Sequence, residues 1–366
     1  MKISQIAYTG FGGLGSVVFS LISADQSHAH NWSIGFTGDL PLDSSYPDMC
    51  DKHQVEYATF HSSPGKPYRA WVALARWLDS VKPDVVICHS INSILACRWY
   101  AYHHRARLIA VEHTSNQAKS RSVMAASLVS MLVADRVVVL TDEYREELRK
   151  AHSWLYRPDK VRVIPNGIDT LLFSPGLAQS RKADKPIRLG MAARFSFSKR
   201  QDLLVGVMSK LADLRPDLSF ELRFAGNGEE FDRVKALASN SPLAPHIHFD
   251  GLLNEQQVAN WLRGLDVYVH ATDGETLSTS LLQAMATGLP IVASAIDGVT
   301  NLLGSAGEYG ICATNDAEGF TRAILRVVDS PELSNALGSR ARDRILNCYS
   351  NQVMLESYLD VIAKCP

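Results

Sequence analysis

The sequence predicts an α/β protein of two doubly wound halves, each a parallel sheet with crossover helices. Three observations carry that reading. Short β-branched runs alternate with helix-length segments along the whole chain. A cluster of turn and breaker residues interrupts the alternation once, near the middle. Motifs rich in glycine or charge follow several of the runs directly, where sheets of this kind bind ligands.

The elements follow in order. Residues 3–8 form the first strand, and Gly10, Gly12, Gly13 and Gly15 place a glycine loop between it and the first helix. Residues 32–36 supply the second strand, with Asp39 beyond its end. A helix-length segment at 72–80 precedes the Val- and Ile-rich runs 85–89, 108–112, 136–140 and 161–164. The break spans 166–186. It holds Pro165-Asn166-Gly167, then Ser174-Pro175-Gly176, then a polar run over 179–185. Strands resume at 187–192, 220–225, 246–249, 267–270 and 291–294, with a helix at 202–214 after the first of them. The join between the halves is expected near residue 175.

Lys and Arg number 37 against 38 Asp and Glu in 366 residues, a net charge near −1, with 46% hydrophobic and 20% charged residues. That balance argues against a nucleic-acid binder and excludes a disordered acidic tail. It leaves ample material for two cores. Six cysteines (Cys50, Cys88, Cys97, Cys312, Cys348, Cys365) contain no C-x-x-C pair, so they read as reduced thiols and not as a zinc site or disulfide framework. The first 24 residues imitate a leader peptide, but the glycines leave no apolar h-region. The most apolar long window, 122–140, is broken by Asp135 and Arg136. The expected location is cytoplasmic, without a membrane span.

Four motifs carry chemistry. Gly10-Phe11-Gly12-Gly13-Leu14-Gly15 matches G-x-G-x-x-G between a strand and a helix. It reads as a dinucleotide site with Asp39 on the ribose, as another phosphate-handling loop, or as a tight turn. His113, at the end of an apolar strand, either donates a hydrogen bond to a sugar hydroxyl or a developing charge, or is a satisfied loop histidine. Arg194 and Lys199 follow the strand at 187–192; they suit a diphosphate, and the alternative is two solvated cations. The fourth motif is the longest. A strand at 267–270 runs into a loop bearing Glu275; Ser278 or Thr279 caps a helix that contains Gln283; Gly288 ends that helix and Pro290 opens the next strand. Unpaired N–H groups at the helix start suit phosphate oxygens.

In order and spacing these motifs resemble the retaining glycosyltransferases of the GT-B fold, in the large family four that includes many bacterial lipopolysaccharide and glycolipid transferases. The matching residues run from Gly12-Gly13 and His113 through Val163-Ile164-Pro165-Asn166-Gly167-Ile168-Asp169 and Phe173-Ser174-Pro175. They continue through Arg194, Lys199, Ala225-Gly226-Asn227-Gly228 and His248-Phe249-Asp250-Gly251 to the Glu275 block, nearly the whole chain. The resemblance implies two Rossmann-like domains facing across a cleft. Residues 1–175 would bind the acceptor, residues 176–349 would bind the nucleotide sugar, and a C-terminal helix at 350–366 would pack back on the first domain.

It also implies roles, position by position. Arg194 and Lys199 neutralise the donor diphosphate, with Gly12 and Gly13 closing against it. Gly226, Asn227, Leu252, Ser278, Thr279 and Gln283 surround the nucleotide. His113, Glu275, Thr276 and Leu277 line the donor sugar. Glu275 is the first Glu of the family's E-x7-E motif, but Gln283 stands at the second, where the ribose is gripped. Glutamine still accepts one hydrogen bond and donates another, without the charge-assisted component worth roughly 1 kcal/mol per bond. The implied reaction is retaining transfer of a hexose or N-acetylhexosamine from a nucleotide diphosphate sugar, UDP favoured and GDP next. Its acceptor would be a glycan or lipid-linked molecule of cell-surface polysaccharide or lipopolysaccharide synthesis. No D-x-D triplet occurs, so no metal cofactor is expected.

Residues 60–136 are locally basic with interleaved aromatics. Arg69, Trp71, Arg105, Arg107, Lys119 and Arg121 read as an acceptor or anionic membrane surface. The alternative is a core-facing helix over 64–80, with Tyr68, Trp71, Ala75 and Leu78 on one side and a solvated basic rim. Two other enzyme classes compete: a nicotinamide-dependent oxidoreductase resting on the glycine loop and Asp39, and a nucleotide-sugar epimerase or hydrolase on the same scaffold.

Overall fold

The computed structural model describes all residues except 11–12, 63–67, 114–120, 177–184, 276 and 366, and leaves the side chains of 13–16 and 121 undescribed. The chain forms two compact units, one of Met1–Gly167 with Asn351–Pro366, the other of Ile168–Ser350.

The first unit runs β1 (Lys2–Tyr8), α1 (Gly13–Ala24), β2 (Asn31–Gly38), α2 (Ser45–His53), β3 (Glu56–His61), α3 (Tyr68–Val81), β4 (Val85–Cys88), α4 (Ile94–His104), β5 (Arg107–Glu112), α5 (Arg121–Val133), β6 (Arg136–Val139), α6 (Asp142–Ala151) and β7 (Val161–Val163). Its seven strands lie in the order β3-β2-β1-β4-β5-β6-β7, all parallel. The second runs β8 (Ile187–Ala192), α7 (Gln201–Leu214), β9 (Phe220–Ala225), α8 (Phe231–Ser239), β10 (Ile247–Gly251), α9 (Glu255–Arg263), β11 (Val267–His270), α10 (Thr279–Ala286), β12 (Ile291–Ser294), α11 (Asp297–Leu303), β13 (Ile311–Ala313), α12 (Ala317–Val328) and α13 (Pro331–Cys348). Six parallel strands lie in the order β10-β9-β8-β11-β12-β13. Both are Rossmann-like, as predicted.

Central strands are apolar on both faces because helices cover both. Val85, Val86, Ile87 and Cys88 of β4 have no exposed surface. The final helix, α14 (Asn351–Ala363), returns to the first unit. Its Met354, Leu355, Tyr358, Val361 and Ile362 join Ile3, Leu21, Val85 and Ile87 in one core cluster.

Each sheet reverses its strand order once, between β1 and β4 and between β8 and β11. In sheets of this kind the loops leaving the carboxyl ends of the two central strands diverge at such a point, where ligands bind. The loops that follow β1, β4, β8 and β11 carry Gly10, His89, Arg194–Lys199 and Ala271–Glu275.

Three features depart from expectation. Strands β3 and β13 had no clear sequence signal. The first is a half-exposed edge strand of mixed polarity, the second only three residues long. The units divide at Gly167/Ile168 rather than near 175, because residues 168–176 are anchored to the second unit. Ile168 and Phe173 lie in its core. Arg263 donates to the carbonyls of Leu172 (2.5 Å) and Ser174 (3.0 Å), and Arg342 to those of Phe173 (3.2 Å), Thr170 (3.5 Å) and Ala286. Arg342→Met removes a charged donor from several carbonyls at once and should lower stability by about 2–4 kcal/mol in urea unfolding. An unchanged midpoint would show that these contacts do not hold the segment.

The third departure concerns α3, whose buried stripe is Ala70, Leu74 and Leu78, four residues apart. Tyr68 is 52% exposed, while Trp71 and Trp77 lean on the first unit's core. Among the described residues no helix is long and apolar enough to cross a membrane.

Candidate active site

In the second unit, parallel neighbours β8 and β11 bring two loops together. The backbone N–H of Arg200 donates to the Ala271 carbonyl (2.9 Å), and that of Asp273 to the Ser198 carbonyl (2.8 Å). These bonds place Lys199 against Glu275. The Lys199 ammonium and the Glu275 carboxylate pair directly, with side chains 14% and 16% exposed. Lys199 Nζ also donates to Thr272 Oγ1 at 3.4 Å. His270, fully buried at the end of β11, has Nε2 3.3 Å from Glu275 Oε2. Burial raises the Glu275 pKa, but the His270 hydrogen bond and the Lys199 charge outweigh it and hold the carboxyl at about 2. Burial, assisted by the Lys199 charge, lowers the His270 pKa. His270 is therefore a neutral donor, and its Nδ1 has no partner among the described residues.

Downstream, Ser278 is the N-cap of α10 and its hydroxyl accepts from the Leu281 N–H at 3.4 Å. Thr279 is exposed in the first turn and Gln283 half-buried one turn later, on the same helix face. Leu277 packs partly against the unit's core, and Thr276 lies outside the described residues. Arg194 differs from Lys199. Its side chain is 75% exposed and pairs with Glu229 at 3.1 Å, so it belongs to the rim.

Gly226 and Gly228 have φ of +132° and +156°, and a Cβ on them would lie 2.1 Å from the Ala193 oxygen and 2.2 Å from the Phe195 oxygen. These glycines let the loop after β9 press onto the loop after β8. Asn227 between them accepts from the Gly228 N–H (2.8 Å), and its carbonyl accepts from the Phe195 N–H (3.0 Å). Leu252, after β10, is 77% exposed.

In the first unit, α1 opens at Gly13, and Gly12 lies outside the described residues. Asp39 accepts a hydrogen bond from the Tyr8 hydroxyl at 2.8 Å. His113 is half-buried just past β5, with Nε2 3.0 Å from Nδ1 of buried His89. Burial pushes the His113 pKa down to about 4. Beneath it, buried Glu112 accepts from the Ser127 hydroxyl at 2.6 Å and the Tyr144 hydroxyl at 3.4 Å.

The six residues read as an acceptor or membrane surface do not form one patch. Arg69 and Arg121 start helices that follow strand ends, at the carboxyl edge of the sheet. Arg105 caps the end of α4 and Arg107 begins β5, at the amino edge. Trp71 rests on the core, and Lys119 lies outside the described residues. Tyr100 is buried as well, its hydroxyl donating to the Pro83 carbonyl at 3.0 Å.

The family model for glycosyl transferases group 1 matches residues 177–344, and that for glycosyltransferase family 4 matches residues 11–171. The chain belongs to the GT-B group 1 glycosyltransferase family. Among its curated relatives is the D-inositol 3-phosphate glycosyltransferase of Stackebrandtia nassauensis. The two are 27% identical over 286 residues, covering 75% of this chain and 58% of the relative. The lipopolysaccharide core biosynthesis glycosyltransferase LpsE of Rhizobium meliloti is 27% identical over 210 residues, covering 57% and 59%. The chain thus spans about three-fifths of the length of these relatives. In fold it is similar to Anabaena Alr3699/HepE, solved in complex with UDP. That match has a TM-score of 0.81 at 16% identity and covers 99% of this chain and all of the other.

Sequence reasoning assigned no role in the site to His89, Gln5, His270 or Thr272. A usable signal was present for two of them. His89 and His270 are polar residues that close apolar strand runs, as His113 does. Gln5 sits inside a strand and gave none.

Proposed function

We propose that the protein is a retaining, metal-independent glycosyltransferase. It takes a hexose or N-acetylhexosamine from a nucleotide diphosphate sugar, UDP-linked before GDP-linked. The acceptor is a glycan or lipid-linked molecule of cell-surface polysaccharide or lipopolysaccharide synthesis. The observation that carries this reading is the Lys199–Glu275 pair in a sheltered loop junction, three residues ahead of the α10 cap. A diphosphate leaving group gains charge as the glycosidic bond breaks. Lys199, Arg194 after release from Glu229, and the N–H groups at the start of α10 are the positive groups that meet it. Glu275 keeps acceptor lone pairs for sugar hydroxyls while Lys199 neutralises it. The UDP-bound relative of like fold and the lipopolysaccharide transferase among the curated relatives support the donor and acceptor classes.

The protein works in the cytoplasm, at the inner face of an anionic membrane. Exposed Leu95, Trp99 and Tyr102 on α4, with Arg98 lying 5.7 Å from the Tyr102 ring centre, support that contact.

A thermal-shift panel with UDP, GDP, ADP, dTDP, CMP and NADH tests the donor. A ligand at ~100 times its Kd stabilises by about 2.7 kcal/mol. A shift with one nucleoside diphosphate and none with NADH is expected; a shift with NADH alone would overturn the reading. Gln283→Glu should keep transfer and tighten nucleotide binding severalfold, since a carboxylate grips ribose hydroxyls more strongly than an amide. Lost activity in that variant would show Gln283 doing something other than holding ribose.

A further inference from the structure

Strand β1, the end of β4 and the end of β5 are neighbours in the first sheet, and they stack three polar side chains into a line. Gln5 Nε2 donates to the Val18 carbonyl at 2.9 Å; Gln5 Oε1 lies 3.0 Å from His89 Nε2; His89 Nδ1 lies 3.0 Å from His113 Nε2. Gln5 and His89 are buried.

The polarity of this line follows from one fixed point. A carbonyl oxygen only accepts, so the Gln5 atom facing Val18 is the amide nitrogen, and the atom facing His89 is the oxygen. That oxygen requires a proton on His89 Nε2. Burial and the neighbouring His113 hold the His89 pKa well below the usual histidine range, so the ring is neutral and its Nδ1 is bare. A bare Nδ1 requires a proton on His113 Nε2.

We infer that Gln5 and His89 are positioning residues that lock His113 in its Nε2-protonated tautomer, leaving Nδ1 as an acceptor for a hydroxyl of the sugar substrate. The inference rests on the proposed function for the role of His113 at the sugar. On this inference His113 accepts from the sugar and does not donate to it, because its donor nitrogen is committed to His89. A hydroxyl that gives its proton to His113 Nδ1 is oriented by it. A rotated ring, or the other tautomer, would present an N–H in that place.

Long-range 15N–1H NMR on the ligand-free full chain reads the tautomer directly. His113 Nε2 should appear protonated and Nδ1 unprotonated. The reverse assignment in the wild type would overturn the inference without any assay of transfer. His89→Asn places an amide oxygen near the former Nδ1 and keeps the acceptor; His89→Leu removes it. His89→Leu should give a mixed tautomer and lower kcat by about tenfold or more with little change in the donor KM, and His89→Asn should recover most of the loss. A merely structural His89 would lower stability in both variants and leave tautomer and kcat alone. If His89→Leu does not fold, Gln5→Leu takes its place, with tautomer mixing expected there too. His113→Ala separates the two claims. Unimpaired transfer would sink the role of His113 at the sugar, while the wild-type spectrum still decides the lock.

Discussion

Glu275→Ala and Lys199→Ala should each cut sugar transfer by about 100-fold or more while circular dichroism and the melting curve stay near wild type. The two side chains share one salt bridge but serve different parts of the proposed donor. Lys199 is nearly buried and pinned by Thr272, so its charge is pre-oriented at little entropic cost on binding. Removing it withdraws charge stabilisation where the leaving group departs and leaves Glu275 sheltered with His270 as its one side-chain donor among the described residues. Removing Glu275 takes away the sugar-hydroxyl acceptor and frees Lys199 to swing. The lysine variant should lose nucleoside diphosphate affinity, read by calorimetry, and the glutamate variant should retain it. Wild-type turnover in both would show the site assignment to be wrong.

The pair has a pH signature. With its folded-state pKa lowered to about 2, Glu275 contributes stability that is full above the ordinary glutamate range and lost as pH falls through about 2. Glu275 stays ionised at any pH at which transfer would be assayed. An acid limb in the rate profile would therefore belong to another group.

Gly226→Ala is expected to be the most damaging small substitution for the fold. The added Cβ meets the Ala193 carbonyl oxygen at 2.1 Å, and φ of +132° is a region that L side chains rarely adopt. Strain and the forced shift together should cost about 3 kcal/mol or more. Neither loop can yield easily. The Ala193 N–H donates to the Ala225 carbonyl at 3.0 Å, and the Gly226 N–H to the Gly251 carbonyl at 2.7 Å. Because the disturbed loop carries Arg194, nucleotide affinity should fall together with stability. Urea unfolding and calorimetry on the same sample read both. A stable Gly226→Ala protein that has lost only nucleotide affinity would assign Gly226 to ligand contact alone.

Much of this molecule was legible in its sequence, and the reason is local. Apolar runs closed by a polar or glycine-rich turn mark parallel strands because both faces of such a strand are covered, so β4, β5, β8 and β11 announce themselves. The half-exposed β3 and the three-residue β13 do not, since edge strands carry no sustained apolar run. Glu275, Lys199, Arg194 and His113 were candidates because each follows such a run directly, and the cap at Ser278 was readable from its residue type and place.

What the chain alone determined was composition, periodicity, the order of elements and the residues that follow each strand. Those rest on interactions between near neighbours in sequence. The tertiary structure alone decided which loops meet. Strand order brings the loop after β8 beside the loop after β11, so residues 76 positions apart form one ion pair. The same kind of crossing sets Gln5 against His89, 84 positions away, and so directs the His113 proton. It also turned Trp71 toward the core and split the basic stretch between two edges of a sheet. Pairings of that range depend on which strands cross over, and crossover order is settled by packing both faces of the sheet at once, beyond the reach of any single window of sequence.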